Sequence, residues 1–375
     1  MLTWACQCLV WYVLQSAGLV LGRDYVVHDK RFYRSLVFGG SLGLGESYMR
    51  GDWSSPDLRG FFVKLCSSSY LQWIQQVWGW VSPLEWWRWF TSHYFNSQTL
   101  IGSRKVGKEH YDLDHTMYER MLSTPMLYSC AYWRNVETLE EAQHQKIMLL
   151  GRKLQLTSGM SVLDIGCGWG DLAITFAKEF GCTVTGLTIS EQQRKVAEQR
   201  AEAAGVSDKV VFILQDYREH SGLYDRVVSV GMLEHVGFHN LTTYFQCVKK
   251  FLREGGLAVI HSITGRTNTS IGDAWTNRYI FPNSAIPSHD AWITSLRPVE
   301  LEIEDIQNLG HDYSRTLSEW RKRFDAQCAN ELDLHFVRMW HYYLTTSEVQ
   351  FAIRGLQLWQ VVLSNGRRER YDAPR

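Results

Sequence analysis

The chain has 375 residues, with 39 Lys plus Arg against 39 Asp plus Glu, and 45% of its residues are apolar. At roughly 150 residues per domain this length suits two domains with a sizeable core. A formal net charge of zero excludes the strongly basic footprint of a nucleic-acid-binding protein. The eight Cys (Cys6, Cys8, Cys66, Cys130, Cys167, Cys182, Cys247 and Cys328) form no CxxC pair and no zinc-like spacing with His. Neither a disulfide framework nor a metal site is therefore expected, and a reducing, cytoplasmic compartment is.

Leu2 to Gly22 carries no charged residue. That run is long enough for a bilayer, yet Gln7, Gln15, Ser16 and Gly18 dilute it and no basic residue precedes it. It admits a packed or interfacial helix, an anchor or a signal peptide. Gly39 to Gly45 reads as a glycine-rich turn. From Trp73 to Phe95 aromatic residues crowd together, including Trp78, Trp80, Trp86, Trp87, Trp89 and Tyr94. They suit a membrane–water boundary or a helical core. Residues 96–108, with Arg104, Lys105 and Lys108, read as a linker between an N-terminal domain (1–95) and a catalytic domain (109–375).

After Ser161 the pattern becomes strand–helix alternation. Strands are predicted at Val162–Ile165, Cys182–Leu187, Lys209–Leu214, Asp225–Val230 and Gly256–Ile263. Helices are predicted at Leu172–Phe180, Glu191–Ala204 and Leu241–Leu252. Glu300–Gln307 and Leu356–Ser364 are candidate closing strands. Such alternation with short loops predicts an α/β, doubly wound parallel sheet.

Between the first strand and its helix lies Asp164-Ile165-Gly166-Cys167-Gly168-Trp169-Gly170. Ligands of doubly wound sheets bind in this crevice, and glycine lets backbone approach them closely. A dinucleotide fingerprint, GxGxxG, would need a third glycine where Asp171 stands. A carboxylate there opposes a pyrophosphate. The order instead suits a phosphate-free nucleoside with an amino-acid tail, S-adenosyl-L-methionine, whose ammonium Asp164 can help satisfy.

These motifs, together with several long stretches elsewhere, resemble the cyclopropane-fatty-acyl-phospholipid synthase family from about Arg23 to Gly366. The stretches are Gly40–Met49, Gly107–Leu113, Tyr128–Trp133, Val162–Gly170, Ser229–Gly237, Tyr279–Pro282 and Leu358–Val362. The resemblance implies a Rossmann-like class I methyltransferase sheet with a smaller, mainly helical N-terminal lipid-associated domain. It implies that an alkene of an unsaturated phospholipid in a membrane attacks the sulfonium methyl, and that bound bicarbonate then deprotonates the carbocation so that a ring closes. The bicarbonate cradle would be Cys130, Glu234, His261, Ile263 and Tyr313. Cofactor contacts would fall on Tyr128, Ser129, Asp164, Gly166, Gly168, Gly170, Thr188, Gln193, Tyr217 and Arg218.

The residue chemistry is compatible. An alkene has no proton to lose before attack, so a base is needed only afterwards. Tyr313 can donate, His261 can donate or accept, and Glu234 can accept. Aromatic faces such as Tyr132, Trp133 and Tyr279 can stabilise a cation without trapping it. Taken singly, Glu234 also suits a helix cap, His261 a satisfied core histidine and Cys130 a small buried hydrophobe. Asp114-His115 stands where the family commonly has Gly-Asn, which bears on substrate preference or lipid access. The readings carried forward are a peripheral membrane enzyme, with a homodimer left open, that forms a cyclopropane, and a related acyl-chain methyltransferase that gives a branched product. A small-molecule N-methyltransferase and a lipid-binding protein with a decayed site rank below them.

Overall fold

The computed structural model describes residues 2–68, 115–122, 125–266 and 273–375. The aromatic stretch Trp73–Phe95, the basic linker and Asp114 lie outside them. The chain divides into two compact units. The first comprises Met1–Phe95, Ile271–Pro282 and Ser314–Gly355, and the second Asn96–Ser270, Asn283–Tyr313 and Leu356–Arg375. Residues 109–375, expected as one catalytic domain, contribute segments to both units. The helices Ala274–Tyr279 and Leu334–Ala352 fall in the first unit.

Packing explains this. Tyr342 on Leu334–Ala352 meets Phe62 edge-on at 5.2 Å and Trp275 at 4.5 Å between ring centroids. The Arg338 guanidinium lies 4.0 Å over the Tyr48 ring, and its Nη2 donates to the Trp53 carbonyl at 2.7 Å. These side chains close a core that the N-terminal residues alone do not complete. Strands β1 (Val26–Val27) and β2 (Trp53–Ser54) pair antiparallel within the same unit.

The uncharged N-terminal run becomes the helix Leu2–Ser16, which buries Cys6, Val10 and Leu14 along one face. Gly18 and Gly22, both at positive φ, turn the chain after it. No helix among the described residues is long and apolar enough to cross a membrane. The glycine-rich segment expected as a turn is instead helical, within Arg31–Met49, kinked at Gly40. Two of its glycines, Gly43 and Gly45, serve close packing. A Cβ on Gly43 would lie 1.8 Å from the Ser35 carbonyl oxygen, and one on Gly45 would lie 2.3 Å from Trp275 Cδ1.

The second unit is built on a seven-stranded sheet in the order β5-β4-β3-β6-β7-β9-β8. Its strands are β3 (Ser161–Ile165), β4 (Thr183–Thr188), β5 (Val210–Leu214), β6 (Tyr224–Val230), β7 (Leu252–Gly265), β8 (Glu302–Asn308) and β9 (Leu356–Ser364). The first five in sequence are parallel, as expected. β9 runs antiparallel to both of its neighbours, β7 and β8, so β8 points the same way as the parallel strands and the sheet is mixed. Val162, Leu163, Val227, Val228, Val259 and Ile260 are fully buried, as befits strands covered on both faces. Strand order reverses between β3 and β6, which opens the crevice at their carboxyl ends.

Because Gly45 presses on a buried indole, Gly45→Ala is expected to destabilise the first unit by about 1–3 kcal/mol through overpacking. A lowered midpoint in urea denaturation followed by tryptophan fluorescence would show it.

Candidate active site

The nucleotide half of the crevice assembles from strand ends. Asp164 occupies β3 and is 2% exposed. Burial pushes its carboxyl up to about 7, with nearby Lys146 pulling the other way. Among the described residues its Oδ2 has no hydrogen-bond partner. In the following loop Gly166, Gly168 and Gly170 adopt φ of 83°, 54° and 86°, a region that L side chains avoid. The three differ in surroundings. A Cβ on Gly168 would meet nothing within 4 Å, whereas one on Gly170 would lie 2.7 Å from Phe212 and 2.9 Å from Ala197. Gly168 therefore faces open space suited to a ligand, while Gly170 is constrained by packing. Asp171, which breaks the dinucleotide pattern, is held in a bidentate ion pair by Arg200.

Thr188 ends β4 and its hydroxyl donates to Gln193 Oε1 at 2.9 Å. Gln193 lies in the first turn of Glu191–Ala203, a helix capped by Ser190. Tyr217 and Arg218 follow β5, and the Arg218 guanidinium bonds both oxygens of Asp216 at 2.8 and 2.7 Å. Tyr128 stacks edge-on with Tyr118 at 5.5 Å, and Tyr118 in turn lies 5.8 Å from Trp169 of the glycine loop. The orphaned acceptor on Asp164 and the open face at Gly168 fit a zwitterionic nucleoside.

The residues of the expected bicarbonate cradle fall into two groups. Glu234 sits in the turn Leu233–His235 after β6 and does not cap the next helix. Its Oε1 accepts the Ile263 backbone N–H at 2.6 Å. The backbone N–H of Ile263, a residue of the expected cradle, is therefore already bound to Glu234. Burial pushes the Glu234 carboxyl up to about 7, and its Oε2 has no partner among the described residues. His261, two residues before Ile263 on β7, is 1% exposed, and burial holds its pKa well below the usual histidine value. Gln360 Nε2 on β9 lies 3.1 Å from its Nδ1. With the carboxamide nitrogen as donor and the ring neutral, Nδ1 accepts and the proton sits on Nε2. That Nε2 has no partner among the described residues, so His261 is not a satisfied core histidine.

The second piece joins Cys130 to Tyr313. The Cys130 thiol donates to the Leu309 carbonyl at 3.7 Å, and the same carbonyl accepts the Tyr313 backbone N–H at 3.1 Å. Trp133 N–H donates to Asp312 Oδ1 at 2.7 Å. Segment 130–133 is thereby tied to the start of the helix Gly310–Gln327. Tyr132 and Trp133 are buried there. Tyr279 belongs to the first unit, where its hydroxyl donates to Glu46.

Three residues of this region escaped the sequence reading. Gln143 Nε2 donates to the carbonyls of Leu127 and Ser129 at 3.2 and 3.0 Å. Lys146 Nζ donates to Ser129 Oγ at 2.8 Å. Gln360 fixes His261. A signal for the first two existed: Leu139, Ala142, Gln143, Lys146, Ile147 and Leu150 share one helical face, and two polar residues within an apolar stripe mark a buried polar role.

Comparison with known proteins agrees with the fold. The fold and the glycine crevice define a class I S-adenosylmethionine-dependent methyltransferase. A solved mycolic acid cyclopropane synthase complexed with SAH and CTAB superposes with a TM-score of 0.65 at 27% identity, over 69% of this chain and 97% of that one. The chain belongs to the mycolic acid cyclopropane synthetase family, whose model matches residues 98–361. It is 40% identical over 368 residues to the cyclopropane-fatty-acyl-phospholipid synthase of Escherichia coli K12, covering 95% of this chain and 94% of that one. The tuberculostearic acid methyltransferase of Mycobacterium tuberculosis is 33% identical over 345 residues, covering 86% of this chain and 79% of the other.

Two predictions follow from Asp164 and Gly168. If the ionised Asp164 receives the cofactor ammonium, binding must release the proton that burial retains below about pH 7. Affinity for S-adenosylhomocysteine should then rise up to about tenfold per pH unit between about 5.5 and 7 and level off above. Asp164→Asn should flatten that profile in isothermal titration. Gly168→Arg should abolish binding while far-ultraviolet circular dichroism stays unchanged.

Proposed function

We propose that the chain transfers the methyl carbon of S-adenosylmethionine to the double bond of an unsaturated phospholipid acyl chain and closes a cyclopropane ring. The observation that carries this reading is the pair of buried, unpartnered polar atoms of opposite type, Glu234 Oε2 and His261 Nε2. An acceptor and a donor of this kind, both desolvated, fit an ion such as bicarbonate, which carries a hydroxyl and anionic oxygens. When bound, S-adenosylmethionine supplies an electrophilic methyl group and bicarbonate a proton acceptor.

The chain's own residues do the rest. Glu234 Oε2 would hold the ion's hydroxyl, and His261 Nε2–H and the Tyr313 hydroxyl its other oxygens. Neutral His261 does not compete for the proton, because burial keeps its basicity low. Cys130, 0% exposed, is a further member of the proposed cradle. The faces of Tyr132 and Trp133 tolerate a neighbouring cation without bonding to it. Asp164, Gly166 and Gly168 hold the nucleoside, with Thr188, Gln193, Tyr217 and Arg218 at its margin. Membrane contact is assigned to the Trp73–Phe95 stretch, assisted by Arg104, Lys105 and Lys108.

A branched acyl product, formed without ring closure, is the second reading. It is favoured by the similarity to a protein named as a methyltransferase rather than a cyclopropane synthase. Incubation with unsaturated phospholipid vesicles and mass analysis of the hydrogenated fatty acids separates the two.

Glu234→Gln keeps the shape but removes the anionic acceptor. Turnover should fall about 100- to 10,000-fold with cofactor affinity retained. Stripping dissolved carbonate should lower wild-type activity, and restoring it should recover the rate. A fully active Glu234→Gln enzyme would rule out the role. For the membrane, replacing Trp86, Trp87 and Trp89 by Ser should reduce vesicle co-sedimentation while cofactor affinity is unchanged. Added salt should weaken wild-type binding only partly, since the net charge is zero.

A further inference from the structure

Lys146 is the least expected residue of the second unit. It lies in the middle of the helix Leu139–Lys153 and is 0% exposed. Burying an ammonium is costly unless something in the fold uses it. Desolvation lowers its pKa to about 8, while Cys130, Asp171 and Asp164 act in the opposite sense. Among the described residues it makes no ion pair with Asp164. Its hydrogen bond goes to Ser129 Oγ at 2.8 Å, and Gln143, one turn earlier, grips the Ser129 carbonyl at 3.0 Å. Two side chains of one helix thus fix both the backbone and the hydroxyl of a single buried serine.

The chemistry of that bond has a direction. An ammonium has three donors and no acceptor, so Ser129 Oγ must accept from it. The serine hydrogen is then committed to pointing elsewhere, and no acceptor for it is found among the described residues. Ser129 is held as a donor in want of an acceptor. Asp164 Oδ2, in the field of the same lysine, is an acceptor in want of a donor. A fixed donor backed by a positive charge suits a carboxylate, and a buried carboxylate suits an ammonium. Together they are complementary to the zwitterionic head of an α-amino acid.

We propose that Lys146 is the positioning residue that sets the polarity of the subsite for the cofactor's amino-acid tail. It forces the Ser129 hydroxyl to donate to the tail carboxylate, opposite the buried Asp164 carboxyl that is left to receive the tail ammonium. This rests on the reading of Ser129 and Asp164 as cofactor contacts.

The test compares S-adenosylhomocysteine, which carries the tail, with 5′-methylthioadenosine, which lacks it, by isothermal titration. Lys146→Met should weaken S-adenosylhomocysteine about tenfold to a hundredfold, the range for loss of a charged hydrogen bond, and should leave 5′-methylthioadenosine within about twofold. Ser129→Ala, a small change in a loop, should show the same selectivity. The double variant should be no weaker than Lys146→Met alone. Lys146→Gln, which can still donate to Ser129 but carries no charge, should fall between. Equal weakening of both ligands by Lys146→Met, or additive losses in the double variant, would reduce Lys146 to a structural role and overturn the proposal. If Lys146→Met does not fold, an Ser129→Ala protein that binds both ligands as the wild type does is sufficient to overturn it. A wild-type protein with equal affinity for the two ligands would instead remove the tail subsite itself.

Discussion

A carboxyl group buried at the carboxyl end of a central parallel strand is the constraint around which the second unit is arranged. Burial pushes the Asp164 carboxyl up to about 7 even with Lys146 pulling the other way. Solvent is excluded by the apolar residues that build β3 and its neighbours, so the group cannot be relieved by water. The compensation has to come from chemistry placed nearby: the lysine of a preceding helix, and a ligand that brings its own positive charge. The glycine loop has the matching task. Gly168 leaves room, and its positive φ holds the backbone in a shape that lets a ligand come close. The same logic recurs at β6 and β7, where Glu234 and His261 are buried with one polar atom each left unpartnered. A protein interior tolerates few such atoms. Asp164, Glu234 and His261, each with such an atom among the described residues, lie on or just after the adjacent strands β3, β6 and β7.

Much of this was legible in the sequence. Alternating apolar runs and helix-forming segments located all seven strands of the large sheet to within a few residues, because parallel strands buried on both faces read as continuous apolar runs. The motif after β3 identified the cofactor class, since Asp171 stands where a dinucleotide loop needs glycine. Other features were not legible. Gly39 to Gly45 looks like a turn, because local propensity disfavours glycine in helices. Only the tertiary partners Ser35 and Trp275 reveal that the small residues admit close contact. The split of the first unit was equally hidden, for Leu334–Ala352 carries no local mark of the distant segments on which it packs. Lys146 was missed for a simpler reason: a lysine on a helix is normally solvated, and its burial shows only when the whole apolar face is traced. The closing strands lay close to the predicted ranges, but the reversed direction of β9 depends on connections that periodicity does not encode.

The order of the strands carries a consequence for how the molecule is made. β9 lies between β7 and β8 in the sheet, although it is the last strand in the chain. Until it arrives, β8 has no neighbour to pair with and β7 presents an open edge. Gln360, which orients the His261 imidazole, also arrives with it. The first unit is similarly incomplete until Leu334–Ala352 has left the ribosome. Long-range pairings of this kind are slow to form and leave unpaired edges exposed in the meantime. A nascent chain can therefore hold a nearly finished nucleotide crevice while its histidine is still free to adopt the other tautomer. The glycine loop after β3 is synthesised early, and the Gln360 contact that orients His261 is imposed only by β9.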